Sequence, residues 1–267
     1  MVARAKEVQM ERLKLGDVAC IIRTFNYAPG MVADAIRRAL ANGVGRIILV
    51  MDCTDSRRDE AFHRVVIRPF DQSPPGRITP IRLVRGEGPI RGFNLAVIGL
   101  ERVWREQRGA FWYVLSASPA VEWTPEHVAA MKASLDERYG AVGTTFAGVR
   151  GQGRDPWYLG RMYDIPRFAF MLMRWPALQR VGCLCEGTDR FGGMEEIEFA
   201  VRLWSRAGWR IQQCNLRIPF YIDESEDPAQ LDARDRAAAQ CSLEHLSRDP
   251  ANDDARDAVE ELGVCHL

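Results

Sequence analysis

The sequence predicts an α/β fold in which a mostly parallel, Rossmann-like central sheet is flanked by helices. Residues 18–22 and 47–51 are short apolar runs rich in β-branched side chains, which is typical of buried strands. Between them, from Met31 onward, apolar residues recur three and four positions apart. This spacing indicates a helix with one buried face, and Asn42 and Gly43 end it. Strand, helix and strand in this order form a βαβ unit, the building block of parallel sheets.

Further strands and helices alternate in the same way. Phe62 and Val66 belong to a predicted helix that Pro69 breaks, and residues 71–80, with three prolines and a glycine, predict a loop. Strands are predicted at residues 81–84, 111–115 and 140–149 and from residue 209, and helices at residues 88–105, from 125 towards 139, and from 194. Residues 1–222 would form one domain, and residues 223–267 a C-terminal helical extension, split near Pro250.

Polar side chains follow the first two predicted strands at the point where each strand ends. Thr24 and Asn26 come after the first strand, and Asp52 and Asp55 come after the second. Ligands of open parallel sheets bind beyond the carboxyl ends of the strands. We therefore expect these four residues to line one ligand-binding crevice.

Composition limits the classes of partner. Lys plus Arg and Asp plus Glu both number 36, so the net charge is zero and no overall field attracts nucleic acid. The seven cysteines include no CxxC pair, which favours reduced thiols in a cytoplasmic protein. No apolar run approaches the ~20 residues of a transmembrane helix, and the N-terminal residues lack the apolar core of a signal peptide. We expect a soluble protein.

An acidic cluster opens the predicted helix that begins near residue 194. Glu195, Glu196 and Glu198 lie in its first turn, after Gly192 and Gly193. Negative charge at a helix N-terminus is favoured electrostatically, so capping alone could explain the cluster. A catalytic or substrate-binding role is the other explanation.

Together these segments resemble the inverting family 2 glycosyltransferases, which have the GT-A fold. The first strand ends in TFNYAP, the second in VMDCTDS, and the acidic helix follows a Gly-Gly pair and ends in Arg-Ala-Gly. The resemblance covers about residues 18–215. It implies that Asp52 binds the base of a nucleotide-sugar, although Met51 stands where the family has a further Asp. It also implies that Arg91 lies near the pyrophosphate, with Asn94 as the matching Asn.

The fourth strand departs from the family pattern. The resemblance implies an Asp-x-Asp pair that holds a divalent metal such as Mn²⁺ or Mg²⁺, but the sequence reads Ser116-Ala117-Ser118. Neutral hydroxyls are poor ligands for hard dications. Three explanations remain open: Arg and backbone donors stabilise the leaving group, nearby acids such as Asp52, Asp55 or Glu122 hold the metal, or the protein no longer turns over.

By position in the motif, the resemblance implies that Glu196 is the general base, with Glu195 and Glu198 beside the substrates. Ser116 and Ser118 are also expected to contact the substrates. The function it implies is inverting transfer of a sugar from a nucleotide-sugar to a hydroxyl of a saccharide, lipid-linked or peptide acceptor. A degenerate GT-A domain that binds a nucleotide-sugar or a partner without catalysis is the alternative. A nucleotidyltransferase is disfavoured, because its Gly-rich, Lys-containing loop after the first strand is absent. The C-terminal helices would pack on the domain or join copies in a homo-oligomer.

Overall fold

A seven-stranded sheet forms the centre of the protein. The computed structural model describes residues 15–24, 27–52, 60, 62–70, 77–83, 88–107, 109–146, 168–184 and 195–218. The strands are β1 (Val18–Arg23), β2 (Arg46–Asp52), β3 (Ile78–Leu83), β4 (Tyr113–Ala117), β5 (Tyr139–Phe146), β6 (Phe170–Arg174) and β7 (Arg210–Ile218). The helices are α1 (Pro29–Ala41), α2 (Gly88–Glu106), α3 (Pro125–Ser134), α4 (Trp175–Val181) and α5 (Glu195–Ala207), with a π-helical turn at His63–Ile67 and a 3-10 turn at Arg68–Phe70.

The strand order is β3-β2-β1-β4-β6-β5-β7, and β6 runs antiparallel to both of its neighbours. The other strands run in one direction, which confirms the predicted α/β fold with a mostly parallel sheet. Because parallel strands end at the same edge, the carboxyl ends of β1, β2 and β4 lie side by side. Strand β7 lies at the far side of the sheet from β3 and runs in the same direction as β1. Helix α5 leads into the amino end of β7, so α5 itself begins near the carboxyl ends of the strands.

Helices cover both faces of the sheet. Successive side chains of a strand point to opposite faces, so they pack into two separate hydrophobic cores. One core lies under α1, α3 and the short turns, and it contains Cys20 and Ile22 of β1 with Ile36 of α1. The other core lies under α2, α4 and α5, and it contains Ile21 of β1 with Phe93 of α2. The period-two alternation along a strand explains why neighbours in sequence enter different cores.

Strand β3 begins earlier than the sequence predicts. Residues 78–80 were expected to belong to a loop, yet they pair with β2, with Pro80 in register with Leu49. Pro80 has no backbone N–H to donate. Among the described strands, β3 lies at the edge of the sheet, so the side of Pro80 that lacks a donor faces none of them. The prolines of this segment therefore do not exclude a strand.

Glycines end two helices as predicted. Asn42 caps α1 and Gly43 follows with a φ of 79°, while Gly208 follows α5 with a φ of 65°. Both angles lie in the left-handed region, where glycine has no Cβ to clash. Helix α3 is shorter than predicted: it ends at Ser134, because Leu135 is extended and a turn precedes β5.

Several predictions lie outside the described residues, among them Asn26, Asp55 and the C-terminal extension at 223–267. In the part of the chain that the structure describes, no helix is long and apolar enough to cross a membrane. Cys20, Cys183 and Cys214 are free thiols, and Cys20 is fully buried. Burial raises the pKa of the Cys20 thiol, which suits its place in the apolar core.

Candidate active site at the carboxyl edge of the sheet

Phe168, which lies just before β6, connects the end of β4 to the start of α5. Its backbone N–H donates to Oε1 of Glu196 at 2.8 Å. Its backbone carbonyl accepts a hydrogen bond from Oγ of Ser116 at 2.6 Å. All three residues are buried, with Glu196 5% and Ser116 1% exposed. Two predicted site residues that lie far apart in sequence therefore bind the same peptide backbone.

The Phe168 ring is held on several sides. It stacks on Phe93 of α2, with centroids 4.7 Å apart and planes 12° from parallel. Phe199 of α5 meets it edge-on at 5.3 Å, and the guanidinium carbon of Arg23 lies 5.8 Å from its centroid. Aromatic and cation–π contacts of this kind are favourable when buried. Phe168 thus joins α2, α5 and the end of β1 at one point.

The hydroxyls of Ser116 and Ser118 bind protein atoms. Ser116 donates to Phe168, as above, and Oγ of Ser118 lies 2.7 Å from the phenol oxygen of Tyr27. The backbone N–H of Ala120 also donates to Oγ of Ser118, at 3.2 Å. These bonds fix both serines at the carboxyl end of β4.

The described residues at this edge do not fit a divalent metal. Such an ion needs anionic oxygen ligands, and Ser116 and Ser118 supply neutral hydroxyls engaged with Phe168 and Tyr27. Within the described ranges, no cluster of three or more His, Cys, Asp or Glu side chains could hold a metal ion.

Asn94 binds the backbone of Leu184, three residues after the end of α4. Its Nδ2 donates to the carbonyl of Leu184 and its Oδ1 accepts from the N–H of Leu184, both at 2.8 Å. Asn94 is 2% exposed. Both polar atoms of the amide therefore stabilise the backbone at Leu184. Contact of Asn94 with a substrate stays a prediction.

Glu198 forms an ion pair inside the protein. Its Oε1 lies 2.6 Å from Nη2 of Arg202, one helical turn further along α5, and the two side chains are 1% and 11% exposed. Nη1 of Arg202 donates to the carbonyl of Cys183 at 2.8 Å. The pair therefore connects α5 to Cys183, the neighbour of the Leu184 that Asn94 binds. A substrate-binding role for Glu198 also stays a prediction.

The remaining predicted residues lie around the same edge. Thr24 is buried directly after β1, its N–H donates to Val50 at 3.0 Å, and its carbonyl accepts from the N–H of Tyr27 at 3.2 Å. Asp52 is the last residue of β2. Arg91 is half-buried in the first turn of α2, and Glu195 is the first residue of α5.

Sequence reasoning missed three residues of this site. Arg23 ends β1 and faces Phe168, and Tyr27 contacts Ser118. Phe168 is buried in the core, and its backbone also binds two site residues. For Tyr27, its position in the segment beyond a strand end was an available signal. No sequence pattern marks the backbone role of Phe168.

Comparison with solved structures gives the fold. No protein-family model matches the chain, and no curated protein matches it. The mannosyltransferase PcManGT from Pyrobaculum calidifontis, solved with GDP-Man and Mn²⁺, superposes with a TM-score of 0.60 and 14% identity, over 99% of this chain and 83% of that one. GalNAc-T7, solved with UDP, GalNAc and Mn²⁺, gives 0.56 and 12% identity, over 79% of this chain and 45% of that one. A mycobacterial protein gives 0.54 and 14% identity, over 90% and 77%.

The two named neighbours are glycosyltransferases with the GT-A fold. The present chain has this fold, as the sequence predicted. At identities this low, the likeness defines the architecture and leaves the activity to be argued from the site.

Proposed function

We propose that this protein is an inverting glycosyltransferase that moves a sugar from a nucleotide-sugar donor to a hydroxyl acceptor. The GT-A fold and the polar residues at the carboxyl edge of its sheet support this proposal. The observation that carries it is the contact between Phe168 and Glu196, because it fixes a carboxylate oxygen at the edge where β4 ends.

The donor would bind across the ends of β1 and β2. Asp52, as the last residue of β2, would accept a hydrogen bond from the nucleotide base, and Thr24 and Asn26 would lie beside the nucleoside. Arg91, in the first turn of α2, would face the pyrophosphate, since a guanidinium and a helix N-terminus both favour anionic oxygens. Arg23 supplies a second guanidinium at this edge.

Glu196 would act as the general base. The acceptor hydroxyl attacks the anomeric carbon, its proton passes to the Glu196 carboxylate, and the bond to the nucleotide breaks on the opposite side. A single in-line displacement of this kind inverts the anomeric configuration. The Phe168 N–H orients the carboxylate for this step, and the arginines named above stabilise the negative charge that develops on the departing diphosphate.

The acceptor would be a saccharide, a lipid-linked molecule or a peptide with an accessible hydroxyl. We place the protein in the cytoplasm, which the free thiols of Cys20, Cys183 and Cys214 support. A homo-oligomer through residues 223–267 is a further part of this proposal.

The decisive experiment is a panel of UDP-, GDP- and other nucleotide-activated sugars, offered with candidate acceptors, in the presence of Mn²⁺ or EDTA. Nucleotide release and thermal shift report turnover and binding separately. We expect one donor to raise the melting temperature and to be turned over, with a product of inverted configuration by NMR. Stabilisation that disappears in EDTA would contradict a metal-independent site and would point to acids such as Asp55 or Glu122.

A second candidate is a GT-A domain that binds a nucleotide-sugar or a protein partner without catalysis. It is favoured by the serine hydroxyls at β4, which bind protein atoms, and by the burial of Glu196. Donor-dependent stabilisation without turnover, across all acceptors, would favour this candidate.

A further inference from the structure

Two hydroxyls meet where the chain leaves β1 and β4. Tyr27 lies between the end of β1 and the start of α1, and Ser118 directly follows β4. Strands β1 and β4 are parallel neighbours, so both segments leave the same edge of the sheet. The two oxygens are 2.7 Å apart, and both residues are half-buried, so the pair lies at the border between the core and solvent.

A count of hydrogens shows that this pair retains a donor. The two hydroxyls carry one hydrogen each, and their mutual contact uses one of them. If Ser118 donates to Tyr27, the phenol hydrogen remains. If Tyr27 donates, then Oγ of Ser118 accepts from both Tyr27 and the Ala120 N–H, and the serine hydrogen remains. In the described part of the chain, no residue accepts this second hydrogen.

We propose that the Tyr27–Ser118 pair is a phosphate subsite that donates this hydrogen to a diphosphate oxygen of the bound nucleotide. The proposal rests on the proposed function, which places the nucleotide at this edge. An O–H donor suits an anionic oxygen directly, because hydrogen bonds to charged acceptors are the stronger class. The same pair is a poor ligand for a dication, since neither oxygen is charged.

The subsite also explains how the edge can bind a diphosphate without carboxylates at the end of β4. A metal would join two sets of anionic oxygens, one on the protein and one on the ligand. Here the protein side offers a hydrogen instead, so the ligand oxygen can bind the protein without an intervening ion.

Isothermal titration of UDP and GDP, and of uridine and guanosine as their unphosphorylated counterparts, tests the proposal in EDTA. Tyr27→Phe keeps the ring and removes only the phenol oxygen. We expect this variant to bind the preferred diphosphate about tenfold or more weakly and its nucleoside unchanged. Either single variant also removes the oxygen that orients the remaining hydroxyl, so Ser118→Ala should give the same pattern. The double variant Tyr27→Phe/Ser118→Ala, which carries neither hydroxyl hydrogen, should lose at least as much diphosphate affinity. Tyr139→Phe is the matched control, because Tyr139 packs against the same core but is the first residue of β5, at the opposite end of the strands from this site.

Equal losses for diphosphate and nucleoside, or unchanged binding of both, would overturn the subsite and would leave the proposed function intact. Failure of the wild-type protein to bind any diphosphate or nucleotide-sugar would overturn the proposed function and, with it, this proposal. Thermal unfolding of each variant verifies that the fold is retained, and Tyr27→Phe and Ser118→Ala serve as independent checks on each other.

Discussion

Phe168 donates its backbone N–H to Oε1 of Glu196, and the backbone carbonyl of the same residue accepts a hydrogen bond from Oγ of Ser116. A buried carboxylate is costly unless hydrogen bonds compensate it. The contact therefore has two consequences: it stabilises the start of α5, and it determines where the proposed base lies relative to β4.

Glu196→Gln separates these two consequences. A glutamine carbonyl can still accept from the Phe168 N–H, so we expect the unfolding transition to change little. Loss of the base should lower transfer by about 10²–10⁴-fold while nucleotide-sugar binding persists. Turnover with an identified donor and acceptor, together with calorimetric binding, measures both.

Glu126→Gln is a matched control for Glu196→Gln, because Glu126 is an exposed carboxylate in the first turn of another helix, α3. Full turnover in Glu196→Gln would reject the base assignment and would favour the non-catalytic candidate.

Asp52→Ala tests the nucleotide base contact. If Asp52 accepts a buried hydrogen bond from the base, its removal should cost about 1–3 kcal/mol of nucleotide affinity. Titration calorimetry measures this, with Asp34→Ala as control, since Asp34 is an exposed acid on α1. Equal affinity of the wild-type protein and Asp52→Ala would exclude the contact.

Asn94→Ala tests whether the amide is a structural clamp. The substitution leaves the N–H and the carbonyl of Leu184 without their side-chain partner, which should cost about 1–3 kcal/mol of unfolding free energy per group. Urea denaturation measures it. Gln179→Ala removes an exposed amide contact to Glu101 and should have little effect. A loss of nucleotide affinity in Asn94→Ala at unchanged stability would instead assign Asn94 to the substrate.

The Glu198–Arg202 pair should behave as a buried ion pair. Glu198→Gln removes the negative partner of a guanidinium that is 11% exposed, and a loss of about 3–5 kcal/mol of stability is expected. Replacing both residues together, as Glu198→Leu with Arg202→Met, should cost less than the single change, because no buried charge is left uncompensated.

Glu106→Gln is the control for the Glu198–Arg202 test, since the Arg102–Glu106 pair is exposed and solvent screens it. Equal, small effects in Glu198→Gln and Glu106→Gln would show that the buried pair does not contribute as proposed.

The sequence by itself determined most of the architecture, because the relevant signals are local. Apolar periodicity located β1, β2, α1 and α5. Glycines marked the ends of α1 and α5, because the preference of glycine for a left-handed backbone is a property of the residue itself and does not depend on tertiary contacts. Three bounds were wrong: the start of β3, the end of α3, and β4, which was predicted at residues 111–115 and runs from Tyr113 to Ala117. The sequence around Pro80 is typical of a loop. Pro80 is compatible with a strand only because β3 lies at the edge of the described sheet.

Only the tertiary structure decided which side chains meet. The contacts of Phe168 with Ser116 and Glu196 span 52 and 28 residues, and that of Asn94 with Leu184 spans 90. Spacing along a strand or helix predicts which face a side chain occupies, but a hydrogen bond between elements depends on strand order and helix placement. For the same reason, the Asn that matches a motif binds the backbone of Leu184, and the buried Phe168 connects Ser116 of β4 to Glu196 of α5.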